Sequence, residues 1–304
     1  FTSGAKQAGI TDEIGEERAN KLFLRAARLG GYAWLFGLGL TLLIGANNTA
    51  IPIRVGAMGI LWTGIVLAII MPETGFHPTP QEDRNTWQHM WYIFRQGTNV
   101  VRQQPRLINI VFIGLCYGLY SEGFDRLSIK LLLDNFHLPV FFGSTQLSFF
   151  VLLSFVGTIL SMFVIRFVEK HLDTTSPLAI GRTMLWVTGL ITLSMLSFAL
   201  SPVLLFAVIF MMAVGLLRSV SGPLQLTWIN QKLDSQVRAT IHSMFGQVDA
   251  IGQVFGGPII GLAANMFSIR LAVALSSLLL SPALLFIRRA NGIQPVEADQ
   301  PEII

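Results

Sequence analysis

The sequence predicts an all-α integral membrane protein, a bundle with eight transmembrane helices in this chain. Three observations carry that prediction. First, 52% of the 304 residues are apolar or aromatic, only 12% are charged, and the mean hydropathy is +0.61. Soluble domains carry about 25% charged residues, so water is not the main solvent here. Second, eight segments approach the ~20 apolar residues that a bilayer crossing needs. Third, the basic residues are unevenly divided between the connections on the two sides. No stretch alternates with period two over ten residues, which disfavours a transmembrane β-barrel.

The spans follow in order. The first covers about 29–46 and the second about 51–71, with Arg54 at its start. The third covers 107–124 and the fourth 143–168. The fifth covers 177–200, the sixth 202–226, the seventh 239–265 and the eighth 268–288. Gly and Pro interrupt several of them, which neighbouring helices in a membrane tolerate.

Of the 21 Lys and Arg, only Arg54, Arg126, Lys130 and Arg270 fall on one side, and the remaining 17 fall on the other. The positive-inside rule makes the richer side cytoplasmic and places both chain ends there, in the plasma (inner) membrane. The same asymmetry accounts for the net charge of +4 and the pI near 9.5 without nucleic acid. Cys116 is the single cysteine and lies in an apolar run, so it forms no internal disulfide and no CxxC pair. A buried structural thiol is the expectation, with no metal and no cofactor.

The one long connection is 72–106. It leaves the second span through Pro72, Pro78 and Pro80. Trp87, Met90, Trp91, Phe94 and Val101 then recur at three- and four-residue intervals beside Arg84, Arg95 and Arg102, which predicts an amphipathic helix. Tryptophans beside basic residues suit the headgroup zone, so an interfacial helix is favoured over a soluble linker. Two spans precede this loop and six follow it. The chain begins at Phe1 with FTSGAKQAGITDEIGEE, neither a basic n-region nor an apolar h-region. The expectation is an N-terminally truncated chain that lacks four upstream helices. The organisation is then 1–71 as the remainder of a first bundle, 72–106 as linker, 107–289 as a six-helix bundle and 290–304 as a cytoplasmic tail.

Several stretches carry a family resemblance. They are FTSGAKQAGITDEIGEERANKLFLR (1–25), MPETGF (71–76), YSEGFDRL (120–127) and NQKLDSQVRATIHSMFGQVDAIGQVFGGPIIGLAA (230–264). They resemble the efflux-type, twelve-helix branch of the major facilitator superfamily, at family helices four to five, six, seven and ten to eleven. The resemblance spans nearly the whole chain and implies that its eight spans are family helices five to twelve. It implies a monomeric secondary transporter working by alternating access, with substrate held between two halves. It favours proton-coupled efflux of small organic or amphipathic compounds, with membrane lipid, a small molecule and protons as partners. An uptake carrier for a small nutrient is the alternative; a membrane enzyme, channel or scaffold is the more distant one.

Ionisable residues inside a span are functional candidates by default. Asp249 lies ten residues into the 239–265 span, about 15 Å along a helix. His242, Gly246, Gln253 and Gly256 share its face by three- and four-residue steps, while Ile251, Val254 and Phe255 point elsewhere. Asp249 is a candidate for carrying a coupling proton; the alternative is a permanent ion pair that holds helices together. Arg218, with Ser221 and Gln225 on its face, is the candidate partner at similar depth; the alternative is that it snorkels to the inner surface. Glu122, Asp125 and Arg126 read as a cluster at the outer end of 107–124, an outer gate or an interfacial ion pair.

Gly252, Gly256, Gly257, Pro258 and Gly261 form GQVFGGPIIG, with small-xxx-small pairs 252/256 and 257/261 for close packing and a Gly-Pro step for a kink. Asp12, Glu16, Arg18 and Arg238 read either as a cytoplasmic charge network or as solvated charges. Phe149, Phe150, Phe155 and Trp186 are candidate cavity-lining rings. The five histidines are scattered, and no HExxH, GxSxG or Walker A pattern occurs, which argues against an enzyme.

Overall fold

The computed structural model describes residues 16–45, 48, 50–70, 95, 101–102, 105–141, 146–173, 176–231 and 235–292; side chains are described in these except 16–28, 105–106, 229–231 and 235–243. The described residues are helical throughout, apart from short turns and connections. In order the helices are α1 (Glu16–Gly45), α2 (Ala50–Ile70), α3 (Pro105–Asn135), α4 (Leu147–His171), α5 (Pro177–Leu200), α6 (Leu204–Gln231), α7 (Ser235–Met266), α8 (Ile269–Leu280) and α9 (Pro282–Gly292). Most of the long connection 72–106, with its predicted interfacial helix, lies outside the described residues; Val101 there is buried and Arg95 and Arg102 are exposed.

Six stretches among the described residues are helical, long and apolar enough to cross a membrane: Ala50–Ile70, Leu107–Asn135, Leu147–His171, Pro177–Leu200, Leu204–Trp228 and Ile269–Gly292. The first span survives as a shorter apolar helix, Leu29–Gly45. The seventh is a helix of full length, but Gly246, Gln247, Asp249, Gly252 and Gln253 make it too polar to be recognised by hydropathy alone.

The chain divides into two compact units. One comprises 1–89 and 139–156; the other comprises 90–138 and 157–304. In the first, α1 packs on α2. A Cβ on Gly45 would stand 2.7 Å from the Leu147 side chain and 2.9 Å from Pro52. No side chain of α2 is buried, and Met58, Ile60, Leu61 and Trp62 are all exposed. Apolar side chains of this kind are at home where lipid tails are the solvent.

In the second unit α3 is the hub. It packs against α7, α8, α9 and α6, while α5 packs against α6, α8 and α9. Leu107, Ile110, Ile113, Leu131 and Leu132 of α3 are all fully buried. Phe112 stacks on Phe286 with centroids 4.9 Å apart, and Phe124 meets Phe198 edge-on at 5.8 Å. A tight apolar knot of Ile260, Ala263 and Ala272 joins α7 to α8.

Local chemistry sets the helix ends. The Ser176 hydroxyl accepts from the Ala179 amide at 3.3 Å with Pro177 at the first position, a standard helix start. Ser268 caps α8 by accepting from Leu271 at 3.1 Å. The eighth span is two helices, α8 and α9, because Pro282 has no N–H to donate. Ser281 fills the break, its amide and its hydroxyl both donating to the Leu278 carbonyl at 3.2 and 2.8 Å.

Helix α3 runs to Asn135, well beyond the expected end at 124. The polar turn after Tyr120 does not end it because its charges pair along the helix: Glu122 with Arg126, and Lys130 with Asp134 at 2.9 Å. Glu122, Asp125 and Arg126 therefore lie within the helix and not at its end.

Candidate functional site: a polar cavity between three helices

Each of α3, α6 and α7 turns one polar stripe toward a common cavity of about 260 Å³. The stripes are Tyr117, Tyr120 and Ser121 on α3; Arg218, Ser221, Gly222 and Gln225 on α6; and Phe245, Asp249 and Gln253 on α7. Within each helix these residues are three and four apart, so each stripe is a single helix face. Arg218 is thirteen residues before the end of α6 and Asp249 fourteen after the start of α7, so both are near mid-helix.

The wall is laced by hydrogen bonds. The buried Tyr117 hydroxyl bonds the Thr188 hydroxyl at 2.8 Å and the Ser221 hydroxyl at 3.0 Å. The Gln225 amide donates to the same Ser221 oxygen at 3.1 Å. This chain ties α5, α3 and α6 together. The Gln253 amide donates to Asp249 Oδ2 at 2.8 Å.

Arg218 makes a two-pronged ion pair with Asp125: Nη1 donates to Oδ1, and Nη2 to Oδ2 at 3.0 Å. A planar guanidinium matches a carboxylate in this way and a lysine does not. The guanidinium also lies over the Tyr120 ring, 5.7 Å from its centroid, and Tyr120 meets Tyr117 edge-on at 5.6 Å.

The sequence suggested Asp249 as the partner of Arg218. The structure instead gives Arg218 to Asp125, because α3 meets both α6 and α7 while, among the described residues, those two do not pack on each other. Arg218 and Asp249 share the cavity without an ion pair. Asp249, Arg218, Gln225 and Gln253 are thus brought together; the His242 side chain lies outside the described residues. Tyr117, Tyr120, Ser121 and Phe245 were missed. The steps Tyr117–Ser121 and Ser121–Asp125 were the available signal for the α3 stripe.

The glycine stripe of α7 resolves into parts. A Cβ at Gly252 would come within 2.6 Å of the Leu115 carbonyl, and one at Gly256 within 2.9 Å of the Leu119 Cα. This pair seats α7 against Gly118 of α3. The expected second pair does not form. Gly257 faces the Glu122 side chain, and Gly261 has open space around it. Pro258 is within the helix.

The ring candidates fare differently. Trp186 is exposed and stands outside the cavity lining; in the other unit Phe149 is buried, Phe150 half-buried and Phe155 exposed. Cys116 is buried. Asp12 and the side chains of Glu16, Arg18 and Arg238 lie outside the described residues. Among the described residues, no three His, Cys, Asp or Glu side chains come together as a metal site.

No family model matches the chain. It is similar to an uncharacterized MFS-type transporter, YxaM, of Bacillus subtilis (strain 168), with 22% identity over 286 residues, 93% of this chain and 69% of that protein. The curated relative is thus a transporter of the MFS type, and the likeness covers most of this chain. The membrane-length apolar helices and this relative together mark the chain as an integral membrane protein.

Proposed function

We propose that the protein is a secondary transporter working by alternating access, with the α3–α6–α7 cavity as its substrate and coupling site. Asp249 is the acid that takes up and releases the coupling proton. The observation that carries this reading is the position of Asp249: mid-helix, facing a polar cavity, its carboxylate held by the neutral amide of Gln253 while Arg218 is committed to Asp125. An acid at such depth is costly unless it works or is neutralised.

The proposed direction is efflux of small organic or amphipathic compounds in exchange for protons, by a monomer in the plasma membrane with both ends cytoplasmic. The basic residues on the inner connections support that orientation. A cavity of about 260 Å³ suits a small ligand.

The test uses the full-length protein in inverted membrane vesicles with an imposed pH gradient. Ethidium and a neutral amphipathic dye serve as probes. The expected result is gradient-driven dye accumulation that Asp249→Asn abolishes. Accumulation without a gradient, or an Asp249→Asn protein that transports normally, overturns proton coupling through Asp249. Dye movement only in right-side-out vesicles converts the reading to uptake.

A further inference from the structure

Two acids lie around one cation at this cavity: Asp249 and Arg218 line it, and Asp125 meets Arg218 from outside the lining. Asp125 comes from α3, Asp249 from α7 and Arg218 from α6. Arg218 grips Asp125 with both nitrogens. Asp249 interacts electrostatically with the same guanidinium but bonds Gln253 instead. One guanidinium can neutralise only one of the two carboxylates. A carboxylate left charged at this depth is unfavourable, so the second needs a proton or another cation.

The surroundings restrict which cation that is. Among the described residues, the neighbouring cations are already bonded: Arg126 to Glu122, Lys130 to Asp134, and Arg270 to Asn135. The other titratable groups facing the acids, among the described residues, are Tyr117 and Tyr120 of α3.

Arg218 also has room to move. Gly222, one turn further along α6, borders the cavity with no atom within 4 Å of where a Cβ would stand. Pro223 has no N–H to return to the Ser219 carbonyl, so the α6 backbone is unlaced in this turn. The Tyr120 ring offers its face to the guanidinium, a contact without the directional demand of a hydrogen bond.

We propose that Arg218 is a shared counter-ion that exchanges Asp125 for Asp249 during the transport cycle, which makes Asp125 the second acid of the coupling site. One proton and one guanidinium are distributed over two carboxylates. While Arg218 holds Asp125, the proton is on Asp249. When Arg218 swings to Asp249, that proton leaves its carboxyl, and Asp125 accepts one in its place. Arg218 is a positioning residue in this scheme. The inference rests on the reading of the cavity as the coupling site.

The test is carbodiimide labelling, since dicyclohexylcarbodiimide modifies protonated carboxyls in membranes. The full-length protein in vesicles is labelled near neutral pH and the adducts are located by peptide mass spectrometry. In the wild type Asp249 is labelled and Asp125 is protected. In Asp125→Asn the released guanidinium takes up Asp249, and labelling of Asp249 falls about tenfold. In Arg218→Gln both acids are labelled. The Asp125→Asn/Arg218→Gln double variant leaves no unpaired cation and labels Asp249 as the wild type does, which guards against misfolding of the single variants.

Equal labelling of Asp249 in the wild type and Asp125→Asn overturns the exchange. So does an unlabelled Asp249 in the wild type, or an Asp125 that stays protected in Arg218→Gln. Labelling requires no transport, whereas the transport reading fails on dye movement alone, so the two failures are distinguishable.

Discussion

Gly252 on α7 lies against Gly118 on α3 so closely that neither position has space for a Cβ. At Gly252 the added carbon would stand 2.6 Å from the Leu115 carbonyl oxygen and 2.8 Å from the Leu119 amide. Those are backbone atoms, which cannot move aside as a side-chain tip can. In lipid, where burial of apolar area drives little, such close backbone contact is a main source of helix association.

Gly118→Ala and Gly252→Ala should therefore each lower the thermal midpoint of the detergent-purified protein by several degrees. Gly261→Ala is the control: its Cβ meets nothing within 4 Å, and it gains up to about 1 kcal/mol of helix propensity. It should be neutral or stabilising. A destabilised Gly261→Ala beside a neutral Gly252→Ala would refute this account of the seam.

The contrast between these glycines shows what was legible in the sequence. The small-xxx-small spacing marked Gly252/Gly256 and Gly257/Gly261 equally, because spacing records the helix face and not the neighbour. Only the first pair meets the α3 backbone; of the second, Gly257 meets the Glu122 side chain and Gly261 meets nothing. The sorting of α7 into faces was legible: Ile251, Val254 and Phe255 are all exposed, while Asp249 and Gln253 line the cavity.

The partner of Arg218 was not legible. Depth along a span can be counted, but the sequence does not say that α6 meets α3 and does not pack on α7. The length of α3 was also hidden, since hydropathy reads a run of charges as an end, while pairs such as Glu122–Arg126 let a helix continue.

Arg270, at the start of α8, binds the ends of two other helices. Its Nη1 donates to the Ala199 and Ser201 carbonyls at 3.1 and 2.6 Å, and its Nε to Asn135 Oδ1 at 3.0 Å. The carbonyls belong to the last turn and cap of α5, where the helix dipole also favours a cation. The Phe136 ring lies 5.6 Å away. Arg270→Gln should cost about 2–3 kcal/mol, since hydrogen bonds from a charged group are each worth about 1.5–3 kcal/mol. Arg270→Lys should recover only part of this, because an ammonium lacks the fork that reaches α3 and α5 together. Thermal midpoints of the three proteins check the order wild type, Lys, Gln.

At the far end of α9, the Trp228 indole donates to Asn291 Oδ1 at 3.2 Å, and Trp228 is only 1% exposed. The same Asn291 side chain occupies the space beside Gly181 of α5. Three helices thus meet on one amide. Gly181→Ala should destabilise by pushing Asn291 aside, and Asn291→Ala should destabilise by removing the acceptor. The two losses should not add, since once Asn291 is truncated the new methyl has room. A double-mutant cycle with a coupling energy of about 0.5 kcal/mol or more is expected. Strict additivity would show that Gly181 and Asn291 do not compete for that space.

Tyr117 separates structure from cavity chemistry. Its hydroxyl joins Thr188 of α5 to Ser221 of α6, and Gln225 leans on the same serine. Tyr117→Phe keeps the ring and its edge contact with Tyr120 but removes the link. Hydrogen bonds between membrane helices average about 0.6 kcal/mol, so the thermal midpoint should fall only slightly. The effect on the cavity should be larger. Ser221 and Gln225 lose their fixed reference and reorient, and both line the site. Dye transport should then show a raised KM at nearly unchanged expression and folding. A Tyr117→Phe protein with a wild-type KM but a midpoint many degrees lower would make this hydrogen-bond chain a purely structural strut.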